Sequence, residues 1–144
     1  MTRKLEGHKI NPANDMIDIL VIDQPGSGGA NHAYVVTGMT GLMENARTLI
    51  TDVTLDYLEG SGVTQDHTIG ILFQNGPIAE AGVNGLTHEV LLEILIDRIA
   101  GFQAGPFACQ ANADCLEHLK AAQEVLLNRT RERMARGVEG THAK

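Results

Sequence analysis

Rings are scarce in this chain: three Phe, two Tyr and no Trp make aromatics 3% of the residues. A protein that grips long single strands by stacking bases on side chains needs more of them. Basic residues are also few, 11 against 18 acidic, for a formal net charge of −7. Such a surface repels polyanions at long range, which sets nucleic-acid polymers and acidic membranes aside as partners. No run of about 18 apolar residues occurs, so no membrane span is expected. The start, MTRKLEGHKINPAND, is polar and has no apolar stretch of signal-peptide length. Two cysteines, Cys109 and Cys115, lie close together, and a bridge across so short a loop would constrain the unfolded chain little. The expectation is a cytosolic protein in which Cys115 is a small buried group near the start of a helix.

Catalytic signatures are missing as well. PGSGG (25–29) has no GxxxxGK[ST] context, and Ser27 does not sit in a GxSxG elbow. The six histidines (8, 32, 67, 88, 118 and 142) are scattered without HExxH or a CxxC partner, so neither a metal nor a cofactor is expected. The residues read as those of a binder rather than an enzyme.

What the chain does have is core-forming material. Its 144 residues are 43% hydrophobic and 20% charged, enough for one small globular domain with or without a helical appendage. MIDILVID (16–23) and HAYVVT (32–37) read as strands, and the permissive loop QPGSGGA between them suggests a β-hairpin. LITDVTLDYL (49–58) fits strand or helix, Gly60–Gly62 is a turn, and TIGILF (68–73) is a further strand, followed by the turn QNGP and then IAEA. From Thr87, a fitting N-cap, the period turns helical. VLLEILIDRI (90–99) is apolar nearly all round, so this helix needs neighbours on more than one side. GFQAGPF (101–107) is expected to stop it, a second helix runs from about Ala111 to Arg136, and GVEGTHAK frays out. The fold class is therefore α+β. An N-terminal antiparallel β-rich part over residues 15–86 precedes a C-terminal antiparallel two-helix hairpin over residues 87–138.

The charge is unevenly spread. Arg3, Lys4 and Lys9 against Glu6 leave +2 in residues 1–14; residues 15–128 hold three basic and fifteen acidic residues; residues 129–144 return to +3. At about 100° per residue, Leu116, Leu119, Leu126 and Leu127 share one face of the second helix with Asn112. Arg129, Arg133 and Arg136 fall beside Leu126, whereas Arg131 points elsewhere. Arg129 and Arg133, four apart, are spaced to converge on one anion, and planar guanidinium forks suit phosphate. Phe102, placed in the interhelical loop, offers a flat face for a base. The same arginines equally suit a helix dipole and pairing with an acidic body, and a lone loop Phe equally suits packing. Taken together, the four residues point to a small phosphorylated ligand, since a polymer needs a longer basic track.

DQPGSGGANHAY (23–34), FQNGPIAEAGVNGLTHEVLLEILIDRIAGFQAGPFAC (73–109) and NRTRERMARGVEGTH (128–142) resemble the phage Thoeris anti-defence sponge family. The helical hairpin also resembles that of the anti-CBASS cyclic-nucleotide sponge. The resemblance covers most of the chain, with residues 39–66 matching least. It implies a non-enzymatic protein acting in the host bacterial cytoplasm. Such a protein captures glycocyclic ADP-ribose, a messenger made by TIR-domain proteins, intact and before an effector reads it. It further implies that Phe102, Asn112, Arg129 and Arg133 hold the ligand. Some members resemble binders of cyclic di- or trinucleotides at a second, interfacial pocket. The apolar helix 90–99 adds the expectation of a homo-oligomer with pockets near subunit interfaces. A hydrolase that degrades the messenger and a purely structural oligomer are the competing readings.

Overall fold

A computed structural model of the chain describes residues 2–49, 64–65 and 67–144. They form two units, Met1–Phe73 and Gln74–Lys144. The α+β expectation is borne out: antiparallel strands come first and a helical hairpin last.

In the first unit the described strands are β1 (Arg3–Leu5), β2 (Asp18–Val21), β3 (Ala33–Thr37), β4 (Thr64–Gln65) and β5 (Thr68–Leu72). They pair antiparallel in the order β1-β2-β3-β5-β4. The expected 16–37 hairpin is present, with Ile19 opposite Val36 and Val21 opposite Tyr34. β3 is central because AYVVT supplies β-branched and aromatic residues for both neighbours. Val21, 1% exposed, is the deepest apolar side chain of the described sheet. Thr37 and Thr68 share a hydrogen bond of 2.9 Å between their hydroxyls across β3 and β5. The rings of Tyr34 and Phe73 meet edge to face at 5.6 Å, so two of the five aromatics serve packing.

The polar start is more ordered than its composition suggests. Asn11 caps a short helix, α1 (Pro12–Met16), by accepting from the Asn14 N–H, with Pro12 in the first turn. Met16 therefore closes a helix rather than opening β2. After β3, Gly38 turns the chain at φ +91°, where a Cβ would strike the Met16 carbonyl oxygen. Helix α2 covers Leu42–Leu49. The rest of the 49–58 segment and the 60–62 turn lie outside the described residues.

The permissive 24–30 loop is organised by one carboxylate. Asp23 accepts the backbone N–H groups of His32 at 2.7 Å and Ala33 at 3.1 Å, and its own carbonyl accepts from the Asn31 side chain. Asp18 is bracketed by Lys9 at 3.0 Å and Lys4 at 3.2 Å.

In the second unit Gln74 and Asn84 form an amide clasp. Gln74 donates to the Gly76 and Gly82 carbonyls and accepts the Asn84 N–H, while Asn84 closes both backbone groups of Asn75. Between them IAEA forms a single helical turn, α3 (Ile78–Ala81). The hairpin itself is α4 (His88–Gln103) and α5 (Gln110–Ala135). Thr87 caps α4 as expected, accepting from Val90 N–H at 3.4 Å. Three expectations need correction. Helix α4 does not stop at Gly101 but runs through it, because one helical Gly costs only about 1 kcal/mol. The chain breaks instead around Gly105-Pro106, and Phe102 lies on the helix, not in the loop. Cys115 is exposed, since it points about 100° away from neighbouring Leu116 on the contact face. Finally, residues 137–144 do not fray. Gly137, at φ +71°, closes a Schellman motif in which its N–H donates to Met134 and that of Val138 to Arg133.

Asp23 is held below the ordinary 3.8 chiefly by the His32 N–H, with partial desolvation opposing, and Asp18 chiefly by Lys9 and then Lys4. Both carboxylates therefore stabilise the folded state fully above that value. The contribution disappears as pH falls through their lower folded-state pKa values. An Asp23→Asn variant is expected to lose stability at neutral pH and to show a shallower acid dependence than wild type. Urea titrations followed by circular dichroism between pH 2 and 7 (roughly the carboxylate range) check this.

Candidate functional site

A two-helix hairpin buries one face of each helix. On α4 that face carries Leu92, Ile96 and Ile99, of which Ile96 is deepest at 8% exposed. On α5 it carries Leu116, Leu119, Leu126 and Leu127, all half-buried, with Asn112 on the same face near the turn. Gln123 ties the helices by donating to Glu93 at 2.6 Å. The other face of α4 is bare: Val90, Ile94 (59% exposed), Leu95 and Phe102 all meet solvent.

The four sequence-derived site residues occupy opposite ends of this hairpin. Phe102 closes α4 and Asn112 opens α5, so both stand at the turn. Arg129 lies 17 residues beyond Asn112, about 25 Å along the helix axis at 1.5 Å per residue. Arg133 is a further turn away. One chain thus places Phe102 and Asn112 at the turn end of the hairpin and Arg129 and Arg133 toward its other end, and does not unite the four around one small molecule.

The arginines differ sharply in their engagements. Arg131 pairs with Glu124 at 2.8 Å and donates to Asn128 at 2.7 Å. Arg136 donates to the Lys144 carbonyl. Arg133, with its side chain 13% exposed, binds the Glu139 carboxylate through Nε at 2.8 Å and the carbonyls of Val138, Thr141 and Ala143 through its two Nη atoms. Four of its five N–H donors are engaged in holding the C-terminal segment against α5. Arg129 is exposed, and no ion pair or hydrogen bond engages its side chain among the described residues.

Asn112 is half-buried; its backbone N–H donates to the Sγ of Cys109, the α5 N-cap. Phe102, 38% exposed, lines an open hollow of about 530 Å³ together with Ile94, Asp97, Arg98 and Gly101. The Arg98 guanidinium stands over its ring, 5.1 Å from the centroid. Sequence reasoning missed Arg98. Its signal is the i, i+4 spacing to Phe102, which has meaning only once Phe102 is on the helix. No group of three or more His, Cys, Asp or Glu converges as a metal site among the described residues. No described helix is long and apolar enough to cross a membrane.

Residues 65–131 match the sequence profile of the Acb2/Tad1 hairpin domain. The match takes in β5 and the hairpin as far as Arg131, a little under half of the chain. The resemblance drawn from the sequence blocks is thereby borne out. Over 72 residues the chain is 46% identical to Thoeris anti-defense 1 of Bacillus phage SBSphiJ7, a stretch covering 50% of this chain and 51% of that protein. The chain therefore spans about half the length of the curated relative it matches. The hairpin-family segment includes Phe102, Asn112 and Arg129 and ends before Arg133.

Because Arg133 organises the C-terminal segment, its removal takes a donor from the Glu139 carboxylate and from the Thr141 and Ala143 carbonyls, while the Val138 carbonyl keeps Thr141. Arg133→Ala is expected to lower stability by about 1–3 kcal/mol, and Gly137→Ala by about 1–2 kcal/mol through its left-handed φ. Arg129→Ala is expected to be neutral within about 0.5 kcal/mol. Denaturant midpoints of the three variants test the contrast.

Proposed function

We propose that the protein is a non-enzymatic anti-defence sponge that binds a small cyclic nucleotide messenger of the glycocyclic ADP-ribose kind and withholds it, intact, from its effector. The observation that carries this reading is an exposed aromatic ring and an arginine without a partner among the described residues, on a segment that matches the hairpin domain, in a body otherwise too acidic for polymers. The name of its phage relative, Thoeris anti-defense 1, supports the biological setting, with the host cytoplasm as the place of action.

The site is shared between two copies. Two hairpins side by side in opposite directions bring the Phe102–Asn112 end of one to the Arg129–Arg133 end of the other. The same arrangement covers the bare α4 face, which gives the homo-oligomer its driving force. Within such a site Phe102 stacks on adenine, worth roughly 1–3 kcal/mol by analogy with nucleic-acid platforms. Asn112 serves a base edge or ribose hydroxyl with both donor and acceptor. Arg129 supplies a free guanidinium fork for the pyrophosphate, at roughly 1.5–3 kcal/mol for a charge-assisted bond. Arg133, pinned by the C-terminal segment and ion-paired with Glu139, adds one remaining N–H. A sponge needs affinity and abundance rather than turnover, which suits a site without a nucleophile–base pair.

The shared site makes a specific prediction. Phe102→Ala and Arg129→Ala are each expected to weaken calorimetric binding of glycocyclic ADP-ribose by tenfold or more (about 1.4 kcal/mol per decade). Mixing the two variants under subunit exchange restores a fraction of intact sites, whereas a site within one chain would show no rescue. Heat-denaturing the loaded protein and weighing the released compound by mass spectrometry separates capture from hydrolysis.

A further inference from the structure

Arg98 is a cation with an unusual setting. Residues 15–128 contain three basic residues among fifteen acidic ones, and Arg98 is the single basic residue of α4. Its guanidinium is exposed and lies over the Phe102 ring, with no carboxylate in ion-pair range among the described residues. Beneath the pair, Gly101 has no side chain, and a Cβ built there would meet nothing within 4 Å. Ile94 and Asp97 line the same open hollow of about 530 Å³, so ring, cation, apolar side chain and carboxylate border one space.

We infer that Arg98 is a further ligand-binding residue, which recognises a phosphate of the nucleotide whose base stacks on Phe102. This rests on the sponge reading and extends it from the sequence-derived four residues to α4 itself. A base that stacks on this face displaces the guanidinium from over the ring to its edge, which leaves its fork of N–H donors next to the base, where the 5′-phosphate of a nucleotide falls. Asp97, an acceptor only, suits ribose hydroxyls and repels phosphate from its own side of the hollow, so the two charges give the ligand one orientation. Gly101 keeps the floor flat, which lets a base or ribose approach the helix backbone. The class selected is a purine nucleotide with phosphate attached through ribose, in preference to the free nucleoside.

The test compares ADP-ribose with adenosine as probes, by calorimetry on the full-length protein, with thermal melts as a control for folding. Arg98→Ala is expected to weaken ADP-ribose binding about tenfold and adenosine binding less than twofold, with Arg98→Lys intermediate. Gly101→Ala is expected to raise the melting temperature, as Ala replaces Gly in a helix, and yet to weaken both probes. If Arg98→Ala weakens both probes equally, Arg98 merely props the ring and the inference fails. Unchanged binding of both by Arg98→Ala also overturns it while leaving the sponge reading standing. Wild-type protein that binds neither probe nor glycocyclic ADP-ribose overturns the sponge reading itself.

Discussion

Helix α4 carries apolar residues around most of its circumference, and a hairpin partner can cover only one side of it. Leu92, Ile96 and Ile99 are spent against α5, and Val90, Ile94, Leu95 and Phe102 remain on the surface. That mismatch between apolar surface and available cover shapes the rest of the second unit. It leaves Phe102 accessible and opens the hollow beside it. Soluble chains seldom leave contiguous apolar faces bare without an interaction to use them.

Helix α5 solves a different problem. It is polar on most of its surface, and its C-terminal third concentrates the arginines that composition made conspicuous. Three of the four are occupied within the chain, and Arg133 most fully, through Glu139 and three carbonyls. The RGVEGTH block is thus held for two reasons at once. Gly137 supplies the left-handed turn that returns the chain, and Arg133 supplies the donors that satisfy the returning carbonyls. A guanidinium fixed in this way has few donors left to offer. Arg129 has the opposite balance: it is exposed, and no ion pair or hydrogen bond engages its side chain among the described residues.

The first unit shows how much order a composition of Gly, Pro and Asn can conceal. The loop after β2 reads as permissive, but Asp23 gathers the N–H groups of His32 and Ala33 and fixes where β3 begins. Asn11 and Pro12 similarly turn a polar start into a capped helix. These signals were present in the sequence as single residues; what hid them was that a cap or a carboxylate hub has no periodicity.

The sequence alone determined the class of the fold, the hairpin, its Thr87 cap and the apolar face of α5, because period, caps and breakers are local properties. It also picked out the arginines four apart, since charge clustering is visible without coordinates. Tertiary structure decided what each residue is free to do. Gly101 read as a breaker because local propensity disfavours it, yet a single helical Gly costs only about 1 kcal/mol and the helix runs through to Gln103, placing Phe102 four residues from Arg98 on the same helix. Arg129 and Arg133 look equivalent by spacing, and only the fold of residues 137–144 distinguishes an open guanidinium from an occupied one. The distance between the two ends of the hairpin, likewise, follows from helical rise once Asn112 and Arg129 share one unbroken helix.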